Sequence, residues 1–288
     1  MAAILLLVHV FANQGEVMLV RRYGKKHGAG GMFFNGILCL FATLFFLISD
    51  TDGLDFVSGL WRYGMINALL YGAGFYLAYV AYKLGSFLLV NTVTSLSFVL
   101  PIFYGLFFLK EPVNHIKCLA LICTFASFFL MVYRMNPTKE KSEKGSFLWL
   151  IPALLSLCST GFINILNKMQ QAQFQGQYRN EYMIITLAGA SLFLLILGLF
   201  TERKDFRKTL FQGGFYGMAA GLLNGIASAA NLAAMMLIPL SVLTAVKMAL
   251  GKLFSFVISF FLYKERYSVL QYLSIVFGVL SLVLMQIS

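Results

Sequence analysis

Charge is what this sequence has least of. Only 11% of its 288 residues are charged, while 60% are hydrophobic. Soluble domains carry roughly one-quarter charged residues on their surface. A large soluble surface is therefore excluded, and no polar stretch is long enough to build a second, soluble domain. Acidic residues are scarcer than basic ones: 11 Asp and Glu stand against 22 Lys and Arg, a formal net charge of +11. In a soluble chain that excess would point to nucleic acid. Here Lys and Arg sit in short loops between apolar runs, which is the pattern of membrane topology signals. No basic face with interleaved aromatics forms a nucleic-acid module, so no nucleic-acid partner is expected. The four cysteines, Cys39, Cys118, Cys123 and Cys158, lie in apolar runs without CxxC or paired-His spacing. They read as small core residues, and with only three His no metal site is expected. No Gly-rich phosphate loop follows a strand, and no Ser–His–Asp order stands out. Neither an enzyme nor a cofactor is expected.

Apolar runs dominate what is present. About ten of them approach the ~20 residues that a helix needs to span a bilayer. They cover approximately 2–20, 29–49, 61–83, 86–109, 113–133, 147–168, 181–201, 213–237, 240–263 and 267–287. Backbone groups facing lipid must satisfy one another, so helices are expected. The first run has no preceding basic residues, and Asn13, Gln14 and Glu16 interrupt it. It reads as a retained helix and not as a signal peptide. The longest polar linker runs from Arg134 to Ser146 and divides the chain almost in half.

The halves resemble each other. Residues 63–72 read YGMINALLYG and residues 216–225 read YGMAAGLLNG, six of ten identical at an offset of 153. An offset of 154 places Lys110-Glu111 on Lys264-Glu265 and Leu130-Met131 on Leu284-Met285. Five spans per repeat is an odd number, so the second copy enters the membrane from the opposite side. Loop charges agree: Asp50, Asp52 and Asp55 follow span two, whereas Arg203, Lys204, Arg207 and Lys208 follow span seven. The expected fold is an all-α integral membrane protein of ten transmembrane helices in two inverted five-helix repeats. These occupy residues 1–134 and 147–288, with a linker at 135–146.

These features resemble the drug/metabolite transporter superfamily, in its ten-helix EamA-type branch. The carrying features are the two repeats, the short turn before spans four and nine, Lys110-Glu111-Pro112 and Lys264-Glu265, and Pro101 within span four. The resemblance covers essentially the whole chain and implies a transporter. Ala249-Leu250-Gly251-Lys252 is similar to the Gly-Ala-Leu-Asn-Lys motif of nucleotide-sugar transporters in that superfamily, where the motif lines the substrate site. Met248 stands in place of its first Gly and Gly251 in place of its Asn.

Ionisable groups at bilayer depth are costly and usually functional. His9, Asn13 and Glu16 share one helix face. Glu16 can exchange a proton, bind a cationic group, or pair with a Lys of span six or nine; His9 is the second proton-coupling candidate. Lys247 and Lys252 lie inside span nine, one suited to an anionic substrate group and the other to Glu16. Two lysines against one carboxylate favour a substrate bearing a carboxylate or phosphate. Asn224, Ser228 and Asn231 share a face of span eight, as do Asn67, Tyr71 and Gly74 on span three. Tyr71 and Asn224 are equivalent under the offset, which suggests a shared central cavity. Helix–helix hydrogen bonding is the competing role. Thr160, Asn164 and Lys168 share a face of span six.

The function expected is secondary transport of a small polar metabolite by alternating access, driven without ATP and possible to couple to protons. The alternative is a flippase for a lipid or lipid-linked intermediate. Its partners are a small-molecule substrate and the bilayer, which is expected to be the plasma membrane. Lys and Arg favour the face opposite the N-terminus, which the positive-inside rule makes cytoplasmic. Both termini are then expected outside, whereas the family resemblance implies termini inside.

Overall fold

The computed structural model describes residues 1–27, 31–50, 53–84, 90, 93–133, 147–263 and 269–287, with backbone alone at 21, 25–27, 131–133, 147, 252, 255–256, 258–263, 271 and 286–287. The linker and the Lys264-Glu265 pair lie outside the described residues.

Among the described residues the chain is all-α, with no strand. In chain order the helices are α1 (Ala2–His27), α2 (Met32–Ser49), α3 (Ser58–Leu84), α4 (Val93–Phe108), α5 (His115–Tyr133), α6 (Leu150–Gln173), α7 (Arg179–Thr201), α8 (Arg203–Leu237), α9 (Leu240–Tyr263) and α10 (Val269–Ile287). Where they are described, the apolar runs expected from the sequence fall mostly within these helices. Six of them (α1, α2, α3, α6, α7 and α8) are long and apolar enough to cross a membrane. The others contribute shorter apolar helices: Val93–Phe108, His115–Leu130, Leu240–Gly251 and Tyr272–Met285. Large apolar side chains point outward, among them Ile48, Phe108, Phe200 and Phe211. Such an exposed apolar surface needs lipid or a partner to cover it. The architecture is consistent with an all-α, multi-pass membrane protein.

Local chemistry sets the helix ends. Asn114 caps α5, its Oδ1 accepting the Lys117 amide at 2.7 Å. α4 carries Pro101, which has no amide hydrogen for the helical ladder, and it ends in a π-turn at Tyr104–Phe108. Lys110 follows in the left-handed region at φ 50, turning the chain before Pro112. Two ends are capped across long sequence distances. Glu202 closes α7 and accepts the Met32 amide at the start of α2, 2.8 Å away. Glu111 accepts the amides of Leu240 (2.5 Å) and Ser241 (3.1 Å) at the start of α9, and the Ser241 hydroxyl as well. Lys117 Nζ lies 3.8 Å from the same carboxylate. A carboxylate at a helix N-terminus satisfies orphan donors and complements the dipole.

Packing follows reciprocal pairs. α2 lies against α7, and α5 against α10; α1 packs on α8 as α6 packs on α3; α2 packs on α8 as α7 packs on α3. The closest approaches use glycine. A Cβ on Gly217 would meet Ile37 at 2.8 Å, and one on Gly64 would meet Ile185 at 2.6 Å. Gly225 meets Phe45 and Gly72 meets Phe193 in the same way. α5 and α10 run antiparallel and trade hydrogen bonds: Ser127 Oγ donates to the Ser274 carbonyl at 2.7 Å, and Ser281 Oγ donates to the Ala120 carbonyl at 2.9 Å. The main core centres on α2 and α7, with Phe34, Phe46, Tyr182 and Leu187 fully enclosed.

Candidate functional site

The helix faces picked out by polar spacing converge on one cavity of about 470 Å³, within the size range of small-molecule sites. α1 contributes His9 and Asn13. α3 contributes Tyr71, Gly74, Phe75 and Ala78, and α4 contributes Thr94 and Ser95. α6 adds Ser156, Thr160, Ile163, Asn164 and Asn167; α8 adds Asn224, Ala227, Ser228, Asn231 and Leu232. Met183 of α7 and Lys247 of α9 complete it. The four α3 positions and the first four α8 positions match one for one at the offset of 153.

Lys247 is the ammonium of this cavity. Its Nζ donates to Asn231 Oδ1 at 2.7 Å and to Asn164 Oδ1 at 3.4 Å. An ammonium has three donors, and these bonds occupy two. Among the described residues no carboxylate lies within ion-pair distance of it. Asn164 is held by its own helix, Nδ2 donating to the Thr160 carbonyl at 3.0 Å. The His9 Nδ1–H donates to the Ala227 carbonyl at 2.8 Å. Tyr71 of α3 and Ser228 of α8 both line the cavity.

Several sequence expectations are corrected. Glu16 does not line the cavity. It lies behind Asn224, whose Nδ2 donates to Glu16 Oε2 at 3.1 Å, while Asn224 Oδ1 is buried without a partner. The Lys partner expected for Glu16 is not Lys168 or Lys247. Lys168 Nζ donates to the Met235 carbonyl near the end of α8, and Lys247 is held by two amides. The Lys252 side chain lies outside the described residues. Asn67 does not reach the cavity either. One turn from Tyr71, it is enclosed between α6 and α7, its Nδ2 donating to Asn167 Oδ1 at 3.1 Å. Tyr182 donates to the same oxygen at 2.7 Å. Asn67 therefore has the helix-to-helix role. On α6 the cavity face runs through Thr160, Asn164 and Asn167, not through Lys168. Spacing of four then three, the same pattern as Asn224, Ser228 and Asn231, carried the signal for Asn167. Thr94, Ser95 and Ser156 were missed, because isolated hydroxyls in apolar runs bond to their own helix as readily as they line a site.

No family model and no curated protein matches the chain. A solved structure known only as a crystal structure of protein superposes with a TM-score of 0.69, covering 98% of this chain and 98% of its own at 12% identity. At that identity the likeness is one of fold alone: the whole chain shares an architecture found in a crystal.

Proposed function

We propose that this protein is a ten-span secondary transporter of the drug/metabolite transporter superfamily, EamA-type. In this reading it moves a small polar metabolite with an anionic group by alternating access. The carrying observation is the Lys247 ammonium, held by neutral amides inside a cavity that both halves of the chain line. A cation at membrane depth is expensive unless compensated, and a ligand carboxylate or phosphate supplies the missing charge at the third donor.

The inverted repeat is supported by reciprocity. Under the offset of 154, Ser127 corresponds to Ser281 and Ala120 to Ser274, so the two α5–α10 hydrogen bonds exchange with each other. The glycine contacts behave alike: Gly64 on Ile185 has a counterpart in Gly217 on Ile37, the glycines 153 residues apart and the isoleucines 148. A two-fold axis in the membrane plane accounts for both, and rocking of two such repeats about a central site is the usual course of alternating access.

The test is purified protein in proteoliposomes. A thermal-shift screen of amino acids, nucleotides, phosphorylated sugars and amines identifies a ligand by mass-action stabilisation, and its uptake is then measured. Anionic compounds should stabilise the protein and accumulate, and Lys247→Met should abolish both effects. Stabilisation by amines alone, or full uptake by Lys247→Met, overturns the reading.

A further inference from the structure

The two walls of the cavity occupy equivalent positions but differ in chemistry. At the offset of 153, Tyr71 corresponds to Asn224, Phe75 to Ser228, and Ala78 to Asn231. The α3 wall is aromatic and apolar where the α8 wall is amide and hydroxyl. Charge is divided in the same way: at the offset of 154 the counterpart of Lys247 on α4 is Val93. A ligand near the axis therefore meets a cationic, amide-rich surface on one side and rings on the other.

The aromatic wall is a pair. The Tyr71 and Phe75 rings lie 6.4 Å apart at 47°, and Phe75 is only partly buried, with Ala78 beyond it keeping side-chain bulk low. A half-covered ring beside a small residue offers a surface on which another ring can stack or pack edge-on. The paired rings of Tyr71 and Phe75, with no charged group beside them on α3, give this wall its ring surface. The charged end admits one negative charge. Among the described residues Lys247 is the single Lys or Arg lining the cavity. A volume of about 470 Å³ corresponds to on the order of fifteen waters at ~30 Å³ each, room for one small ring and a short acidic chain.

We propose that the cavity takes an amphipathic monoanion, a small carboxylate bearing an aromatic ring. The carboxylate sits on Lys247 between Asn231 and Asn164, and the ring lies against Phe75 and Tyr71. This substrate class rests on the transporter reading and narrows it. Phosphate dianions and unsubstituted short carboxylates are the ligands it disfavours.

The experiment is calorimetric binding to the full chain in nanodiscs with four probes: 3-phenylpropionate, octanoate, propionate and 3-phenylpropylamine. The 3-phenylpropionate should bind most tightly, octanoate more weakly, and propionate at least roughly tenfold more weakly, in keeping with the loss of a whole apolar group; the amine should not bind. Phe75→Leu keeps the apolar volume and should erase the preference for 3-phenylpropionate over octanoate while keeping carboxylate over amine. Lys247→Met should do the reverse. Equal affinity for propionate and 3-phenylpropionate, binding of the amine, an unchanged preference in folded Phe75→Leu, or no binding by any probe would overturn the proposal. If either variant fails to fold, the selectivity of the natural protein decides alone. Uptake without ring preference would sink this inference and leave the transporter reading standing. Selective binding without uptake would do the opposite.

Discussion

Replacing Gly221 by Ala tests the α2–α8 contact where it is least able to yield. The added Cβ would lie 2.4 Å from the Leu38 carbonyl oxygen, 2.8 Å from Phe41 Cβ and 3.1 Å from the Ala42 nitrogen. Two of these three atoms are backbone of α2, so no rotamer change relieves the contact. The helices must part by about 1 Å, and over-packing of this kind costs about 1–3 kcal/mol. Replacing a mid-helix glycine returns about 1 kcal/mol of propensity; with the clash on backbone atoms at the upper end of the over-packing range, the net loss is roughly 1–2 kcal/mol. For a chain of this size that lowers Tm by about 2–8 °C. Gly214→Ala is the control: nothing lies within 4 Å of its added Cβ, so propensity alone acts and stability should rise by about 0.5–1 kcal/mol. Thermal unfolding in nanodiscs can be followed by a thiol-reactive dye, since buried Cys39 is next to Leu38 on α2. Equal stability of Gly221→Ala and the natural protein, or an equal loss in Gly214→Ala, would refute the close-packing argument.

Three further outcomes are expected. Glu111→Gln weakens the cap on α9 and the contact to Lys117, so Tm should fall by an amount equivalent to about 1–3 kcal/mol; an unchanged Tm would remove the cap from the account. Glu16→Gln keeps the bond to Asn224 within reach but cannot ionise, so the pH dependence of transport should flatten while expression holds; an unaltered pH profile rules out proton coupling through Glu16. In a cysteine-free background, exposed Gln175→Cys on the N-terminal face should label with an impermeant thiol reagent on intact cells, and exposed Lys208→Cys on the opposite face should not. The reverse labelling pattern would place the termini inside.

Helix positions were legible because apolar runs of membrane length carry their own signal. The matched decapeptides were legible too, though their meaning was not. Gly64 and Gly72 of α3 lie where that helix meets α7, and the matching Gly217 and Gly225 of α8 lie where that helix meets α2, a role that small residues serve in membrane packing. Cavity-lining polar residues on α3, α6 and α8 emerged from spacing of three and four, since such residues share a helix face. Rotation within a face defeated the same argument. Asn67 is one turn from Tyr71 yet turns into the α6–α7 contact, and Lys168, beside Asn167, turns away to the Met235 carbonyl. The link from Glu111 to α9 spans 129 residues, and no local pattern encodes a partner that distant. The partner of Glu16 was misjudged for a related reason: charge counting favours a lysine, but an amide carried on the packed helix α8 was nearer.

The most direct test of alternating access uses one cysteine in the cavity. Thr160 is exposed to it on α6, and Thr160→Cys in an otherwise cysteine-free protein places a thiol there. Oriented proteoliposomes with a trapped dye receive an impermeant thiol reagent from outside or from inside, and labelling is read by mass spectrometry. A central site that opens to each face in turn predicts labelling from both sides with the dye retained. Labelling from one side only, or dye leakage accompanying access from both, would contradict a transporter that works by alternating access.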